Sequence, residues 1–502
     1  MDLFHNLYIG FQTALTFANL WYAFMGCVLG TLIGVLPGLG PIATIAMLLP
    51  TMYSLQPTSA LIMLAGIYYG AQYGGSTTAI LINVPGEASS VVTALDGYQM
   101  ARKGRAGTAL ATSALGSFFA GTVGTLVVAA FAPALTSLAF EFGAPEYFAL
   151  MFLGLIGAVV LASGSLVKAL AMVVLGLLLG QINTDVQTAV PRFSFNIPEL
   201  MDGINFVVIA MGVFSFGEII ANLGKSAEHR EVFVKKVTGL WPTKKDFKDA
   251  SPAAVRGTLL GCLLGVLPGA GPMLASFTSY AVEKKLSKHP EEFGKGAIQG
   301  VAAPEAANNA GAQTSFIPML TLGIPTSAVM ALMIGAMTIM GIQPGPTVMT
   351  SNPTLFWGLI CSMWVGNFML VILNLPLIGI WVKLLTVPYR FLFPAIMAFC
   401  AIGVYTLSNN TFDVYCAAAF AVFGFLTHKF GFEAAPLILG FILGPMMEEN
   451  LRRALLMARG DWSVFVTRPI SAVMLLLALV MMIVIALPSI SKKRQEAFVD
   501  EE

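Results

Sequence analysis

The chain has 502 residues, of which 57% are hydrophobic and only 11% are charged, against roughly 25% charged in a soluble domain. This composition excludes a water-soluble globule and predicts an all-α, polytopic integral membrane protein. The 27 basic and 26 acidic side chains leave a net charge of +1, so no polyanion-binding surface is indicated and nucleic acid is not an expected partner.

Long uncharged stretches define the predicted membrane region. No Asp, Glu, Lys or Arg occurs between Asp2 and Glu87 or between Glu305 and Lys383, and about 20 residues are enough for one span. We expect about 12 transmembrane segments, some of them broken or re-entrant. Apolar segments lie near residues 17–36, 58–84, 107–137, 146–162, 166–182, 204–223, 253–267, 314–340, 354–382, 391–407, 412–427, 432–447 and 469–488.

One extended hydrophilic stretch, 225–251, divides the chain and carries seven basic and four acidic residues. The positive-inside rule predicts that this linker is cytoplasmic. We therefore expect a first transmembrane repeat over 1–224 and a second over 252–502, the latter ending in a C-terminal span and a cytoplasmic tail. The start of the chain lacks the basic region of a cleavable signal peptide, so we expect its first apolar segment to be retained.

The two halves repeat in sequence. Gly26–Pro41 matches Gly257–Pro272 at 11 of 16 positions, at an offset of 231. A weaker correspondence pairs Ile82–Pro85 with Leu322–Pro325 at an offset near 240. A duplication that spans each half is the simplest explanation.

Basic residues near the repeated segments change sides between the halves. In the first half the turn 51–59 is uncharged and basic residues follow the later helix, whereas in the second half the earlier turn is basic and 341–353 is uncharged. This pattern predicts two repeats of inverted topology, which secondary transporters use to build a site between related halves. The arginines of the 448–468 segment do not fit this pattern, and the sequence leaves the side of that segment open.

Proline and glycine interrupt both repeated segments in the middle of apolar sequence. Proline removes a backbone donor and glycine admits positive φ, so the helix is expected to break, and the second proline suits the first turn of a new helix. The free N–H groups of such a helix start favour an anion. A proline kink with close helix packing is the alternative. The candidate binding residues are Pro37, Gly38 and Gly40 in the first copy and Pro268, Gly269 and Gly271 in the second.

The stretch 68–90 combines glycines expected to loosen the backbone, neutral side-chain oxygens and a further chain break. Unwound carbonyls with hydroxyl and amide oxygens suit Na⁺, whereas hydroxyls and free N–H groups suit a carboxylate. Glu87 either complements a helix dipole or is a functional group at membrane depth. The candidates are Tyr69, Gly74, Gly75, Ser76, Thr77, Thr78, Asn83, Pro85, Gly86, Glu87 and Ser89.

The second half offers a lone carboxylate followed by two adjacent asparagines. These asparagines predict either ion or substrate ligation or a structural hydrogen-bond knot. No Lys or Arg lies inside the motifs, so we expect helix ends and neutral donors to hold an anionic substrate, with no cofactor and no metal beyond a Na⁺ coupling site among the same residues. The candidates are Glu305, Asn308, Asn309, Thr314, Gly323, Pro325 and Thr326.

These motifs together resemble the large membrane subunit of the tripartite tricarboxylate transporter family. The resemblance rests on both G-x-L-x-G-x-L-P-G-x-G-P copies, on 69–78 and 83–87, on 304–309, on 322–325 with 343–346, and on 444–453. It implies a bacterial inner-membrane permease that works with a small membrane subunit and a periplasmic solute-binding protein. It also implies import of carboxylates such as citrate, driven by a Na⁺ or H⁺ gradient rather than ATP. Thr326 stands where this family is expected to have glycine, which leaves the substrate open.

The sequence thus favours a secondary carboxylate importer that works by alternating access. An ion or anion channel with re-entrant selectivity elements is the alternative, because broken helices also build filters. A membrane-embedded enzyme has the least support, since only the isolated Glu87 and Glu305 are available as catalytic groups.

Overall fold

The computed structural model describes residues 3–36, 40–52, 54–83, 85–161, 165–185, 188–217, 220, 237, 239–267, 271–384 and 389–486. These residues are almost entirely helical, as predicted. The first half contains α1 (Leu3–Ala14), α2 (Phe17–Val35), α3 (Pro41–Met52), α4 (Pro57–Ile82), α5 (Val91–Met100), α6 (Ala106–Ala139), α7 (Ala144–Leu161), α8 (Leu166–Gly180) and α9 (Phe206–Ala210).

The second half is also helical. It contains α10 (Lys244–Gly265), α11 (Gly271–Leu286), α12 (Gln299–Thr314), α13 (Phe316–Leu322), α14 (Ala328–Ile339), α15 (Val348–Ser351), α16 (Pro353–Asn374), α17 (Ile378–Leu384), α18 (Tyr389–Ser408), α19 (Thr411–Lys429), α20 (Ala435–Met457), α21 (Val464–Thr467) and α22 (Pro469–Ala486). Two short strands, β1 (Asn183–Thr184) and β2 (Pro191–Arg192), pair antiparallel after α8.

Within the described residues, four helical stretches are both long and apolar enough to cross a bilayer. They are Phe17–Val35, Val91–Ala139, Pro353–Asn374 and Thr411–Lys429, and shorter apolar helices accompany them. This architecture is that of a membrane protein. The larger number of about 12 crossings stays a prediction.

Both repeated motifs interrupt a helix, as the prolines and glycines predict. The helix α2 ends at Val35 and α3 begins at Pro41, whereas α10 ends at Gly265 and α11 begins at Gly271. Proline at the first or second position of a new helix loses no hydrogen bond there, because that N–H has no helical acceptor. Four of the predicted site residues, Pro37, Gly38, Pro268 and Gly269, lie outside the described residues.

Glycines bring α2 and α4 into backbone contact along their length. Each α2 glycine faces a carbonyl of α4, and three of the four α4 glycines face carbonyls of α2 in return. The pairs are Gly26 with Met63, Gly30 with Ile67, Gly34 with Ala71, Gly66 with Ala23, Gly70 with Cys27, and Gly74 with Thr31. Because the residue numbers rise together on both helices, α2 and α4 run parallel.

The same close packing recurs in the second half between α10 and α12. The pairs are Gly257 with Ala303, Gly261 with Ala307, and Gly265 with Gly311. These helices also run parallel. In each half the intervening helix, α3 or α11, must therefore run back between two parallel neighbours, so α2–α3 and α10–α11 are helical hairpins.

The structure corrects one expectation for the 68–90 stretch. Its glycines were expected to loosen the backbone, yet α4 continues without a break from Pro57 to Ile82. Gly74 lies against the backbone of α2, and Gly75 lies against the Glu87 side chain and Gly86. The missing side chains therefore permit close packing instead of unwinding, and the break occurs only at Asn83, which adopts φ +56°.

The two halves meet where α4 crosses α12 and α13. Ser76 of α4 contacts Glu305 of α12, whereas Tyr69, two turns earlier, packs against Phe316 of α13 with ring centroids 5.9 Å apart. The residue numbers rise in opposite directions, so α4 runs antiparallel to α12 and α13.

Three of the four arginines that did not fit the charge pattern are held in ion pairs. Arg452 contacts Asp185 at 2.9 Å and Glu448 at 2.5 Å. The other pairs are Arg453 with Glu449 and Arg468 with Glu146, each at 2.5 Å. Their charges are thus neutralised by carboxylates of the protein itself.

Candidate functional site

The crossing of α4 and α12 buries polar side chains from both halves. Gln72 and Ser76 come from α4, and Glu305, Asn308 and Asn309 come from α12, and each of the five is at most 1% exposed. Six alanines sustain α12 as a helix around the two asparagines, because alanine is the strongest helix former. Polar groups buried at this depth are costly unless they are paired, so their partners indicate what the site is built to hold.

The Glu305 carboxylate is surrounded by hydroxyl groups from three first-half helices. Ser76 of α4 lies 2.8 and 2.7 Å from its two oxygens. Thr93 of α5 donates to Oε1 at 2.5 Å. From α6, Ser113 donates to Oε2 at 2.8 Å, and Ser117 lies 3.4 Å from the same oxygen. The partners of this carboxyl group are thus neutral oxygens, and we call these five residues the hydroxyl cage.

The two adjacent asparagines connect the cage to the rest of the site. Asn309 donates from Nδ2 to Ser117 at 2.7 Å, and Asn308 donates from Nδ2 to the Glu87 carboxylate at 3.1 Å. The carbonyl oxygen of each side chain is buried without a hydrogen bond. The asparagines therefore bridge the two halves, and each leaves one side-chain oxygen without a partner among the described residues.

The chain break after α4 folds back onto the helix hairpin of the first half. Gly86 packs against Gly75 and the Gly34 carbonyl. Glu87 accepts a hydrogen bond from Ser89 as well as from Asn308. A side chain on Gly86 would collide with the end of α2, so glycine is required at this close approach.

The second half builds an equivalent break between α13 and α14. Gly323 adopts φ +71° at the end of α13, as Asn83 does at the end of α4. After Pro325, Ser327 caps α14 by accepting a hydrogen bond from the Met330 N–H at 3.3 Å, which is the usual role of serine at a helix start.

The start of α11 meets the start of α14 at this second break. The Cβ position of Gly271 lies 3.7 Å from the Ser327 side chain. The Thr326 hydroxyl is buried and has no hydrogen-bond partner among the residues that the structure describes. In the first half, the position equivalent to Gly271 is Gly40, and no described atom beyond its chain neighbours lies within 4 Å of its Cβ position. The start of α11 therefore adjoins the start of α14, where the Thr326 hydroxyl has no partner within the described part of the chain.

Further buried polar groups without hydrogen bonds lie along the same helices. Both amide atoms of Gln72 and of Gln313 are unpaired, as are the hydroxyls of Tyr69 and Tyr73. Unpaired polar atoms are rare in native interiors and call for water, an ion or a ligand. Their concentration on α4 and α12 indicates that the interior between the halves is built to be hydrated or occupied.

Not every predicted residue joins this cluster. Thr77, Thr78 and Thr314 bond to carbonyls of their own helices, at 3.2, 2.8 and 3.1 Å respectively. Hydroxyls that return to the preceding turn in this way satisfy themselves locally.

Sequence reasoning missed three members of the hydroxyl cage and one further buried carboxylate. Thr93, Ser113 and Ser117 look like ordinary small residues of apolar helices, although the i, i+4 spacing of the serines places both on one face of α6. Asp96 is fully buried and accepts hydrogen bonds from Gly296 N–H at 2.7 Å, Ala297 N–H at 2.8 Å and Tyr280 at 2.9 Å. Its position as the second charge after the long uncharged stretch was the available signal.

Comparisons with known proteins identify relatives over the whole chain. The family model of the tripartite tricarboxylate transporter TctA family matches residues 20–439. An uncharacterized 52.8 kDa protein of the TAR-I ttuC′ 3′ region of Agrobacterium vitis is 61% identical over 502 residues, which is the full length of both chains. An uncharacterized protein of the TAR-II ttuC′ 3′ region of the same organism is 62% identical over 242 residues, covering 48% of this chain and all of the relative. No solved structure matches.

Proposed function

The chain belongs to the tripartite tricarboxylate transporter TctA family, and on that premise we propose that it imports a di- or tricarboxylate of the citrate type across the inner membrane. In this proposal a periplasmic solute-binding protein delivers the substrate, and a small membrane subunit completes the complex. An ion gradient drives the cycle. The 225–251 linker lies in the cytoplasm, in keeping with its excess of basic residues.

The observation that carries the proposal is the buried polar interior to which both halves contribute. A carboxylate substrate needs hydrogen-bond donors, and the free N–H groups at the starts of α11 and α14 supply them without a cationic side chain. Thr326 lies at the start of α14 and the Asn308 carboxamide contacts Glu87 after the first-half break, and the oxygen of each has no hydrogen-bond partner among the described residues. A hydroxyl serves a carboxylate as a donor, whereas an amide carbonyl serves a substrate hydroxyl or a coupling cation as an acceptor.

We interpret the two helical hairpins as re-entrant elements of inverted repeats. The parallel pairs α2–α4 and α10–α12 use glycines at matching positions, and α4 runs antiparallel to α12 and α13. An inverted duplication accounts for both observations. In hydrocarbon, a helix break is tolerated only where it faces protein or a water-filled cavity, which matches a break that adjoins a substrate site.

The hairpins differ in their packing, and this difference supports alternating access. The first-half hairpin contacts α18 and the π-helical turn after α9. Pro50 of α3 lies 3.1 Å from the Cβ position of Gly403 in α18, and Met211 of the π-helical turn lies 3.5 Å from the same position. In the second half, α11 packs mainly against α10, α12 and the turn before α5. In a transporter that alternates between two states, each single state is expected to place its two related elements against different neighbours.

Transport in proteoliposomes tests the proposal directly. The chain is reconstituted with its small membrane subunit, and the binding protein is added outside with radiolabelled citrate, tricarballylate, succinate or malate as probes. We expect accumulation of at least one probe that needs an imposed Na⁺ or pH gradient. Uptake that persists after ionophores collapse both gradients contradicts the proposal. Discrete single-channel currents in a planar bilayer would favour the channel instead.

The variant Glu305→Gln, compared with Glu449→Gln, separates a role at the site from a general loss of folding. Glu449 is an exposed residue whose only described ion pair is with Arg453 at 2.5 Å, and such pairs contribute little. We expect Glu305→Gln to lose gradient-driven uptake and Glu449→Gln to keep it. Equal activity of the two variants would remove Glu305 from the proposed mechanism.

A further inference from the structure

We propose that the hydroxyl cage is a proton-binding site and that the coupling ion is a proton carried on the Glu305 carboxyl group. The coupling part rests on the proposed transport function. The occupancy of the site by a proton rests on the cage alone.

The oxygen separations in the cage fit hydrogen atoms and leave no place for a metal cation. A metal cation has to lie between its ligand oxygens, at about 2.3–2.6 Å from each for an ion of the size of Ca²⁺, which keeps those oxygens further apart than a strong hydrogen bond does. Here Thr93 lies 2.5 Å and Ser113 lies 2.8 Å from the carboxylate oxygens. Separations of this size require a hydrogen between the oxygens.

The charge balance of the cage also favours a proton. Glu305 is 1% exposed, and its partners are neutral hydroxyls. An ionised carboxylate at such depth, without a cation beside it, carries a large desolvation penalty. A bound proton removes this penalty without any rearrangement of heavy atoms.

Ser76 allows the cage to hold either protonation state. Its hydroxyl lies 2.7 and 2.8 Å from the Glu305 oxygens and 3.0 Å from the Gln72 backbone carbonyl, yet it has a single hydrogen to donate. With Glu305 protonated, the carboxyl donates to Ser76 and Ser76 donates to Gln72. With Glu305 ionised, Ser76 turns its hydrogen to the carboxylate. A rotation about one C–O bond therefore satisfies both states, which a site that binds and releases a proton needs.

Other ionisable groups on the surrounding elements are engaged elsewhere or are uncharged. Tyr73 of α4 and Glu87 are close enough to act electrostatically on Glu305. When either group is ionised, its negative charge disfavours a negative charge on Glu305. When either is neutral, it does not compensate such a charge. Further groups on these elements include Asp96 of α5, held by Tyr280 of α11 and two backbone N–H groups, and Arg256 of α10, paired with Glu283 of α11 at 2.9 and 2.5 Å.

The cage is assembled from both halves, so a movement between them changes its protonation. Thr93, Ser113 and Ser76 belong to the first half and Glu305 to the second. When α12 separates from α4 and α6, water enters and stabilises the ionised carboxylate, and the proton leaves to that water as hydronium. When the halves separate toward the opposite side of the membrane, the carboxylate takes a proton from hydronium there and leaves a water molecule behind. The halves then close over the neutral carboxyl group.

Infrared difference spectroscopy of the purified complex tests the occupancy of the cage without any substrate. We expect the C=O stretch of a protonated carboxylic acid at neutral pH in the wild type and its loss in Glu305→Gln, equally in NaCl and in choline chloride. The control variant Glu87→Gln should keep the band. A wild type without this band, or a band that Na⁺ removes, overturns the proposal.

A second variant keeps the test informative if Glu305→Gln does not fold. Ser113→Ala retains the carboxyl group and removes one hydroxyl that lies 2.8 Å from it. We expect the band to shift in frequency, because the C=O bond loses a hydrogen bond. A band of unchanged frequency would show that it does not arise from Glu305.

Proteoliposomes loaded with a pH-sensitive dye test the coupling. We expect wild-type uptake of the carboxylate probe to acidify the lumen, and we expect Glu305→Gln to lose proton-driven accumulation and the pH dependence of its residual exchange. Uptake that depends on Na⁺ and leaves the lumen pH unchanged overturns proton coupling and leaves the transport function intact. Absence of uptake of every probe contradicts the transport function, and the infrared result still decides the protonation of Glu305.

Discussion

Replacing Gly30 by alanine is expected to destabilise the protein, although alanine is the better helix former. The new Cβ would lie within 3.0 Å of the Ile67 carbonyl oxygen on α4, whereas ordinary van der Waals contact begins at 3.4 Å. The obstacle is backbone, so α2 and α4 must separate over several turns to relieve it. The equivalent substitution in the second half, Gly261→Ala, places a Cβ equally close to the Ala307 carbonyl.

The magnitude follows from two opposing effects. Overpacking a close contact costs about 1–3 kcal/mol, and replacing glycine by alanine inside a helix returns about 0.5–1 kcal/mol. We therefore expect Gly30→Ala and Gly261→Ala each to lower the free energy of unfolding by roughly 1–2 kcal/mol. Gly379 of α17 is the matched control, because nothing lies within 4 Å of its Cβ position, so Gly379→Ala should be neutral or slightly stabilising.

Unfolding in detergent by increasing fractions of dodecyl sulfate, followed by tryptophan fluorescence, measures these differences. The three variants are compared with the wild type in one detergent, so that only the site of the added methyl group differs. Gly30→Ala and Gly379→Ala with the same midpoint would refute the parallel packing of α2 against α4, and with it the hairpin. A loss in Gly30→Ala without a loss in Gly261→Ala would refute the equivalence of the two hairpins.

Three further outcomes follow from the same structure. Gly323→Ala should lower the free energy of unfolding by about 1–2 kcal/mol, because a residue with a side chain is strained at φ +71°. A dodecyl sulfate midpoint equal to that of the wild type would contradict the left-handed conformation at the end of α13. Asn308→Ala should reduce carboxylate uptake by roughly ten-fold or more, because Glu87 loses its amide donor and a hydrogen bond to a charged group contributes about 1.5–3 kcal/mol. Uptake assays at equal protein density measure this change. Unchanged uptake would remove Asn308 from the site. Burial alone would raise the pKa of Asp246. Hydrogen bonds from Thr243, the N-cap residue of α10, and the ion pair with Arg105 nevertheless hold this pKa below the ordinary 3.8. A carboxyl with a lowered folded-state pKa stabilises the fold above its ordinary pKa, so Asp246→Asn should cost stability at pH 7, by roughly 0.5–1 kcal/mol for the partly exposed pair with Arg105. The difference in stability between the two proteins should vanish only as the pH falls below 3.8. Melting curves of both proteins from pH 7 to pH 3 measure it, and a difference that stays constant over this range would contradict the prediction.

The sequence was a reliable guide wherever local covalent geometry decides the structure. The apolar segment predicted near 58–84 is the helix Pro57–Ile82, and the one predicted near 391–407 is Tyr389–Ser408. The break before Pro41 also lies where two prolines and two glycines require it. In these cases the information lies within a few residues, because hydropathy and backbone restriction are properties of the residues themselves.

The glycines of α4 show where local reasoning fails. Gly70 and Gly74 read as flexible positions, because glycine is conformationally permissive, yet both lie in a continuous helix. Their role is set by α2, whose backbone occupies the space that side chains would have filled. The sequence does not show which helix packs against a given glycine. The same residue type therefore accompanies a helix break in one place and close helix packing in another.

The sequence by itself determined an all-helical membrane chain, its repeated proline-glycine motif, its helix breaks and the family to which it belongs. Only the tertiary structure decided that α2 and α4 run parallel, so that α3 turns back as a hairpin. It alone also placed Thr93 and Ser113 on the Glu305 carboxyl group, about 200 residues away along the chain. The reason is physical: a hydroxyl in an apolar helix is satisfied by its own backbone or by a distant carboxylate with equal ease, and only the packing of the halves selects between them.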